Sequence, residues 1–174
     1  MTGPITTNAT SPKTTCPVAA ATDEIAIDIS DTRFWQPAIR RYVDECLAGD
    51  AGLRGRNFRL HWLGSMVAEA HRILMRGGVF VRPATGRSAD RAEQPRFLQE
   101  ANPLAFVIER AGGRASTGTA RLLDVAPPVA RLRTPLIFGA AEEVERIEAY
   151  HRDHEMGRYD APLFAERGLF RSTA

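Results

Sequence analysis

Short apolar strands and amphipathic helices alternate along this chain, and glycines mark the ends of the helices. The helix that begins at Pro37 has its apolar residues three and four positions apart and is followed by Gly49. Two later helices stop at Gly77-Gly78 and at Gly112-Gly113. The strands between helices, such as Val79–Val81, are short and hydrophobic. This order predicts an α/β fold in which helices cover a mixed β-sheet.

The periodicity of the apolar residues sets expected bounds for each element. We expect strands at Ile25–Ile29, Phe58–Leu63, Val79–Val81, Arg121–Val125 and Leu136–Phe138, and extended chain at Arg96–Gln99. We expect helices at Pro37–Leu47, from Gly64-Ser65 to Gly77, from a cap at Asn102 to Gly112, and at Ala140–His154, with a surface loop at Pro83–Pro95. The sheet is expected to combine Ile25–Ile29, Val79–Val81, Leu122–Val125 and Leu136–Phe138. The helices are expected to bury Ile39, Val43, Val67, Ile73, Leu74, Val107 and Ile108.

Composition and charge exclude several classes of protein. The chain has 174 residues, enough for one domain with a core. We expect residues 1–23 to be a disordered or loosely attached lead-in to a domain at 24–174. The formal net charge of +2 argues against nucleic acid or an anionic membrane as the main partner. We find neither a secretory signal nor an apolar run of membrane-spanning length, and two cysteines, Cys16 and Cys46, fit a reducing compartment. We therefore expect a cytoplasmic protein.

Four features have both a chemical and a structural interpretation. Ser65 begins a helix whose free amides suit a phosphate or a sugar hydroxyl, although an ordinary helix cap is the commoner role. Glu100 stands before a helix start, where a carboxylate ligates Mg²⁺ or simply favours the helix dipole. His151 and His154 lie three residues apart, but a solvated charged face is commoner there than a zinc site. Cys46 lies on the inward face of its helix and is expected to belong to the core.

Several stretches of the chain, taken in order, match the pattern of one enzyme family. They are Arg33-Phe34-Trp35, Glu100-Ala101-Asn102-Pro103-Leu104-Ala105-Phe106, and the segments 41–49, 64–78, 111–118, 142–147 and 162–171. Together they resemble class I fructose-1,6-bisphosphatase, and the ending is similar to the bacterial branch associated with the Calvin cycle. The resemblance runs from about Glu24 to the end of the chain and covers only the C-terminal half of the family's longer chain.

The resemblance carries expectations about fold and activity. It implies the fold of the C-terminal domain of this sugar phosphatase. It also implies hydrolysis of fructose 1,6-bisphosphate to fructose 6-phosphate and phosphate, in gluconeogenesis or the Calvin cycle. The family's N-terminal half holds most of the magnesium-binding carboxylates, in an Asp-Pro-Leu-Asp-Gly-Ser-Ser motif that this sequence lacks. We therefore expect the isolated chain to be inactive, and to use Mg²⁺ only together with such a half.

Four positions keep the family's pattern. By resemblance, Glu100 matches the glutamate that ligates the metal. Ser65 and Met66 match the turn that holds the sugar hydroxyls. Trp62 stands where the family has an aromatic residue beside the distal phosphate. These four residues are therefore the expected contacts to metal and substrate at which the sequence agrees with the family's pattern.

Five positions depart from that pattern. Asp28 replaces a phosphate-binding asparagine, Arg82 replaces a phosphate-binding tyrosine, and Gln94 falls where a substrate-binding lysine or arginine is expected. His61 replaces an arginine that reaches a neighbouring subunit's phosphate, and Gln99 replaces a tyrosine. Because a carboxylate at Asp28 repels a phosphate dianion, we expect Arg82 to neutralise Asp28 or to act as the replacement phosphate ligand.

Three functions are compatible with this sequence. The chain works within a fructose-1,6-bisphosphatase alongside a complementary half, or it is a non-catalytic sugar-phosphate-binding or subunit-interaction module, or it is a degenerate gene fragment. The expected partners are a sugar phosphate and either a second copy of the chain in a homo-oligomer or a complementary phosphatase half. The resemblance also implies that one face stays unusually apolar, because the family packs this half against the half that this sequence lacks. Such a patch drives association, so self-association or low solubility is expected.

Overall fold

A five-stranded mixed sheet forms the centre of the molecule. The computed structural model describes residues 17–85, 94–126, 129 and 132–158. The strands run in the order β2-β1-β3-β5-β4, with β1 parallel to both β2 and β3, and β5 antiparallel to both β3 and β4. Their bounds are Glu24–Ile27 (β1), Arg59–His61 (β2), Val79–Arg82 (β3), Arg114–Ser116 (β4) and Leu136–Gly139 (β5). The predicted α/β fold with a mixed sheet is confirmed.

Two helices cover each face of this sheet. Their bounds are Pro37–Leu47 (α1), Met66–Arg76 (α2), Asn102–Arg110 (α3) and Ala141–Glu155 (α4). Ile25 and Ile27 of β1 pack in one core with α1 and α4, whereas Ala26 between them packs in the other core with α2 and α3. Alternate residues of a strand point to opposite faces, so the strand Val79–Arg82 likewise sends Val79 and Phe80 to different cores. The result is three layers, α/β/α.

The strand predicted at Ile25–Ile29 is shorter than expected. It ends at Ile27, because the Asp28 side chain accepts a hydrogen bond from the Ser30 amide at 3.0 Å and starts a 3₁₀ turn over Ile29–Phe34. An aspartate that bonds its own backbone two residues later favours a turn over a strand. Ile29 is 56% exposed as a consequence.

The strand predicted at Arg121–Val125 is wrong. Residues Leu122–Asp124 form a 3₁₀ turn, and in this turn only Leu122 is buried. The edge strand is instead Arg114–Ser116, which pairs with β5. Ala115 is the one apolar residue in that strand, so alternation gave no signal for it.

The extended segment predicted at Arg96–Gln99 is also wrong. Residues Phe97–Ala101 form a π-helical turn that runs directly into α3. Because the chain is already helical before Asn102, the cap position of α3 belongs to Ala101 and not to Asn102, and no side chain caps the helix there. Pro103 does lie in the first turn of α3, as predicted.

Two residues predicted to be buried lie on the outside of the helices. Val67 on α2 is 68% exposed and Val107 on α3 is 47% exposed. These helices contact the sheet through faces that contain small residues, such as Ala70 on α2 and Ala105 on α3. The other predicted core residues are in the core. Ile39, Val43, Ile73 and Ile108 are buried, and Leu74 is half-buried against them.

Part of the predicted lead-in packs on the domain. Residues 1–16 lie outside the described part of the chain, but Val18 is buried and its amide donates to the Ala111 carbonyl at 2.7 Å. The Glu142 amide donates to the Ala20 carbonyl at 3.0 Å. Residues 17–23 are therefore attached to α3 and α4. The predicted tail contacts at 162–164 and 169–170, and most of the Pro83–Pro95 loop, also lie outside the described residues.

Candidate functional site

A small cavity lies at the edge of the sheet where the three parallel strands end. Asp28 follows β1, Trp62 follows β2, and Arg82 ends β3. Ligands of α/β proteins bind at the carboxyl ends of parallel strands, and here those ends enclose about 40 Å³. The lining consists of Asp28, Asp31, Trp35, Trp62, Val81, Arg82, Pro83, Thr85 and Gln94. Four of the six substrate-binding residues predicted from the sequence thus meet in one cavity.

Asp28 and Arg82 face this cavity without pairing. The Asp28 carboxylate accepts hydrogen bonds from the Ser30 amide at 3.0 Å and from the Ser30 hydroxyl at 2.7 Å, both through Oδ1. Among the described residues it makes no ion pair with Arg82, which is half-buried at the end of β3. The two charges are therefore both available to a ligand, and the expectation that Arg82 neutralises Asp28 has no support from the geometry.

Gln94 is the buried polar group of the cavity. Its side-chain Nε2 donates to the Pro83 carbonyl at 2.9 Å, and its backbone carbonyl accepts from the Arg133 guanidinium at 2.6 Å. Only 8% of the residue is exposed. The Oε1 atom is buried and has no hydrogen-bond partner in the described part of the chain. A buried acceptor of this kind costs free energy unless a water or a ligand satisfies it.

Aromatic stacking fixes the wall of the cavity. The Trp62 ring stacks on Phe80 of β3, with 5.7 Å between centroids and 14° between planes. Phe80 in turn stacks on Phe138 of β5 at 4.9 Å. On the other side, Trp35 is buried and forms a backbone bridge with Thr85. The two indole rings are therefore held by the sheet and its flanking turns rather than by a ligand.

A network of buried charged side chains holds the backbone next to Trp62. The sequence analysis did not identify this network. Glu69 of α2 is fully buried, accepts from the Leu63 amide at 3.1 Å, and pairs with Arg72 at 3.0 Å. Arg72 also bonds Glu24, and His61 Nε2 lies 3.8 Å from Glu69. Burial, and then the positive charge of Arg72, lower the pKa of His61 below its usual value. The spacing of Glu69 and Arg72 on one helix was the available signal.

Ser65 and Met66 lie beside the cavity rather than in its lining. The Ser65 hydroxyl accepts from the Ala68 amide at 3.4 Å, which makes it the cap of α2. Ser65 is exposed and Met66 is half-buried against the core. The structural interpretation of Ser65 as a helix cap is therefore confirmed. A role for these two residues in holding sugar hydroxyls stays a prediction.

Glu100 does not form a metal site with the described residues. Its carboxylate is exposed and accepts from the Arg96 amide of its own turn at 2.7 Å. Divalent cations need several oxygen ligands. In the described part of the chain no three His, Cys, Asp or Glu side chains gather where they could hold one ion. The donor set present here does not fit a bound Mg²⁺.

The remaining candidates are structural. Cys46 is a buried free cysteine of α1, as predicted, and burial raises the pKa of its thiol to about 11. His151, which we expected on a solvated face, is buried on α4, and burial lowers its pKa. His154 on the same helix is exposed, as expected.

Comparisons with known proteins identify the family. The family model of the fructose-1,6-bisphosphatase C-terminal domain matches residues 18–152. The chain is 56% identical over 149 residues to "Fructose-1,6-bisphosphatase class 1 3" of Methylibium petroleiphilum, covering 86% of this chain and 42% of that one. It is 49% identical to "Fructose-1,6-bisphosphatase class 1" of Hydrogenophilus thermoluteolus, covering 88% of this chain and 43% of that one. The chain thus spans less than half the length of these relatives.

The fold is similar to that of a solved fructose-1,6-bisphosphatase structure. The crystal structure of Leishmania major fructose-1,6-bisphosphatase in its holo form superposes with a TM-score of 0.70 and 28% sequence identity. The match covers 79% of this chain and 44% of the Leishmania chain. The residues that the family model matches, 18–152, contain all five strands, α1 to α3 and most of α4. On these grounds, the chain belongs to the family of fructose-1,6-bisphosphatase C-terminal domains.

Proposed function

We propose that this chain is the sugar-binding domain of a fructose-1,6-bisphosphatase, and that it acts in hydrolysis only together with a metal-binding half. The reaction would convert fructose 1,6-bisphosphate to fructose 6-phosphate and phosphate, in the cytoplasm, in gluconeogenesis or the Calvin cycle. The names of its relatives support the reaction. The chain's contribution would be to bind and orient the sugar.

The cavity at the carboxyl edge of the sheet is the observation that carries this proposal. It brings together Asp28, Trp62, Arg82 and Gln94 from four separate segments of the chain. Such a convergence of a few polar groups with aromatic walls is typical of a small-molecule site. Its volume of about 40 Å³ suits one end of a sugar rather than the whole molecule.

The metal-binding half would have to supply most of the catalytic groups. When bound, Mg²⁺ would polarise the phosphoryl group and activate water in such a reaction. Glu100 is the one metal ligand that the family resemblance assigns to this chain, and its carboxylate is bonded within its own turn. We therefore propose that the other carboxylates come from a segment corresponding to the unmatched part of the relatives.

Exposed apolar residues on the outer faces of α2 and α3 support the proposal that the chain binds a protein partner. Leu63, which precedes α2, and the α2 residues Val67 and Met75 are 57%, 68% and 61% exposed. On α3, Phe106 and Val107 are 53% and 47% exposed. Exposed apolar faces of this kind mark interaction surfaces. We propose that they pack on the complementary half, or on a second copy of the chain. No described helix could cross a membrane.

Phosphate release from fructose 1,6-bisphosphate with Mg²⁺ tests this function. We expect negligible release from the chain alone. Adding the N-terminal half of the Methylibium relative, expressed separately, should restore turnover. In that mixture Arg82→Ala should lower activity, whereas Arg152→Ala, at an exposed position on α4 on the opposite face of the sheet, should not. Turnover by the chain alone within the usual range of about 1–10³ s⁻¹ would contradict the proposal.

A binding module without catalysis is the second candidate. Glu100 favours it, because among the described residues no group of three His, Cys, Asp or Glu side chains could hold a metal ion. The same mixing experiment separates the two functions. A mixture that forms a stable complex yet never releases phosphate would identify an interaction module rather than a working half.

A further inference from the structure

The lining of the cavity at the carboxyl edge of the sheet carries more negative than positive charge. It contains two carboxylates, Asp28 and Asp31 from the turn after β1, and one guanidinium, Arg82 at the end of β3. The other lining residues bring no titratable side chain, and His61 of β2 lies instead 3.8 Å from Glu69. A phosphate monoester is mainly a dianion at neutral pH. Such a dianion would meet a net repulsion here unless a proton came with it.

Asp28 has one carboxylate oxygen that no neighbour uses. Its Oδ1 accepts from the Ser30 amide at 3.0 Å and from the Ser30 hydroxyl at 2.7 Å, whereas its Oδ2 has no hydrogen-bond partner among the described residues. Asp28 is only half-buried, and Oδ2 remains in contact with solvent. An ionised carboxylate accepts hydrogen bonds but donates none. A ligand group beside Oδ2 must therefore carry a hydrogen that it can donate.

A singly protonated phosphate group satisfies both charges of the cavity. Its P–OH can donate to Asp28 Oδ2, while its two anionic oxygens can accept from the Arg82 guanidinium. The cavity of about 40 Å³ has room for roughly three water-sized groups, which is the number of terminal oxygens in a phosphoryl group. The same proton can be written on Asp28 with a phosphate dianion beside it. In either form, one proton is taken up when the phosphate binds.

We infer that this cavity holds the phosphorylated end of a sugar together with one proton, and that Asp28 selects the group that brings this proton. The inference rests on the proposed sugar site and specifies its ligand: a phosphate monoester, in preference to a fully ionised anion of similar size such as sulfate. Arg82 attracts the negative charge, and Asp28 discriminates. An asparagine at position 28, which the family resemblance leads us to expect, would donate to either anion and make no such distinction.

Tryptophan fluorescence reports on this cavity, because Trp35 and Trp62 are the two tryptophans of the whole chain and both line it. We would titrate the purified chain at pH 6.5 and constant ionic strength with inorganic phosphate and with sulfate, which has no proton to donate at this pH. EDTA is present so that no metal ion bridges an anion to Asp28. Phosphate should saturate the change at a concentration lower by about tenfold or more. Equal concentrations, or no saturable change with phosphate, would overturn the inference.

The pH dependence of sugar-phosphate binding is a second test. A phosphate monoester loses its last proton near pH 6, so the singly protonated fraction of fructose 6-phosphate is about eightfold larger at pH 6.5 than at pH 7.5. The parent chain should therefore bind fructose 6-phosphate about eightfold more tightly at pH 6.5. Equal affinity at the two pH values, or tighter binding at pH 7.5, would contradict the inference.

The variant Asp28→Asn should abolish both effects. It keeps an oxygen for Ser30 and presents a donor in place of Oδ2, so it can bind dianions directly. Phosphate and sulfate should then saturate within about twofold of each other, and the affinity for fructose 6-phosphate should change by less than about twofold between the two pH values. Asp44→Asn, at an exposed position on α1, is the matched control and should behave as the parent does. If Asp28→Asn also behaves as the parent does, Asp28 is not the selecting residue. Unfolding curves establish that each variant is folded, and the two tests on the parent chain decide the inference if Asp28→Asn does not fold.

The two proposals can fail separately. If the mixture with a metal-binding half never hydrolyses sugar phosphates but the chain prefers phosphate to sulfate in an Asp28-dependent way, the proposed function is wrong and this inference stands. If hydrolysis is restored but the chain binds phosphate and sulfate equally, or binds fructose 6-phosphate equally at the two pH values, the inference is wrong and the proposed function stands.

Discussion

Arg54 and Glu143 form an ion pair that is buried at both ends. The Arg54 Nη2 lies 2.6 Å from Oε1 and 2.7 Å from Oε2 of Glu143, and the two side chains are 3% and 0% exposed. The Tyr42 hydroxyl donates to the same carboxylate at 2.8 Å, and Arg56 donates at 3.0 Å. This cluster fastens the loop between α1 and β2 to the first turn of α4, on the face of the sheet away from α2 and α3.

Removing the carboxylate should be strongly destabilising. Glu143→Ala leaves the Arg54 charge buried without a counterion and the Tyr42 hydroxyl without its acceptor. We expect the free energy of unfolding to fall by about 3–5 kcal/mol. Glu142→Ala, one residue earlier and exposed, should cost less than about 0.5 kcal/mol. Urea unfolding of the two variants measures the difference, and equal losses would contradict this role of Glu143.

Gly139 permits the close approach of β5 to the start of β3. Its φ is +137°, and a Cβ there would lie 2.1 Å from the Gly78 carbonyl oxygen, which is backbone and cannot move aside. We expect Gly139→Ala to cost more than about 4 kcal/mol or to prevent folding. Gly157→Ala is the control, because its φ is +63° but nothing lies within 4 Å of the added carbon. That variant should cost only about 1–2 kcal/mol, from backbone strain alone.

His151 should make the stability of the chain depend on pH. Burial lowers the pKa of His151, Glu155 opposes that effect, and His154 adds to it. The folded state therefore takes up a proton less readily than the unfolded state, whose histidine titrates near 6.5. Stability should fall as the pH drops below about 6.5. In His151→Gln, the loss of stability between pH 7.5 and 5.5 should be smaller than in the parent.

His71→Gln is the control for that experiment, because His71 is exposed on α2. Its loss of stability over the same pH interval should equal that of the parent chain. If His151→Gln and His71→Gln lose the same stability as the parent between the two pH values, burial of His151 has no part in the acid response.

The apolar faces of α2 and α3 should control association. The double variant Val67→Glu/Met75→Lys charges two exposed positions of α2 and should change the free energy of unfolding by less than about 0.5 kcal/mol. It should, however, weaken self-association in light scattering and weaken binding to a metal-binding half. Leu53→Glu, at a position 90% exposed in the α1–β2 loop, should affect neither. A parent chain that remains monomeric and binds no such half would contradict the proposed surface.

Local signals predicted the helices well and the edge of the sheet poorly. The bounds of α1 are those expected from Pro37 and the following Gly49, because both signals act within a few residues. The strand β4 depends on pairing with β5, and Ala115 offers little local signal for it. The predicted burial of Val67 was wrong, because α2 contacts the sheet through the face that carries the small residue Ala70, and Val67 lies outside that face.

The predicted site residues that line the cavity came from the family resemblance, and the sheet explains how they meet. The family resemblance, and not the strand pattern, singled out Asp28, Trp62 and Arg82 in the sequence. In the structure each of them ends or follows a parallel strand, which explains why they line one cavity. The burial of Gln94 was not predictable, since its bond to Pro83 joins residues 11 positions apart, across a stretch whose sequence has no apolar periodicity. The environment of Glu100 depends on a π-helical turn that no sequence signal indicated.

A crystal structure of the chain with fructose 6-phosphate tests the central claim most directly, because that sugar phosphate is the product of the proposed reaction. The account predicts that it binds at the carboxyl edge of the sheet, with one end in the cavity that Asp28, Trp62, Arg82 and Gln94 line. A sugar phosphate that binds elsewhere on the chain would contradict the account.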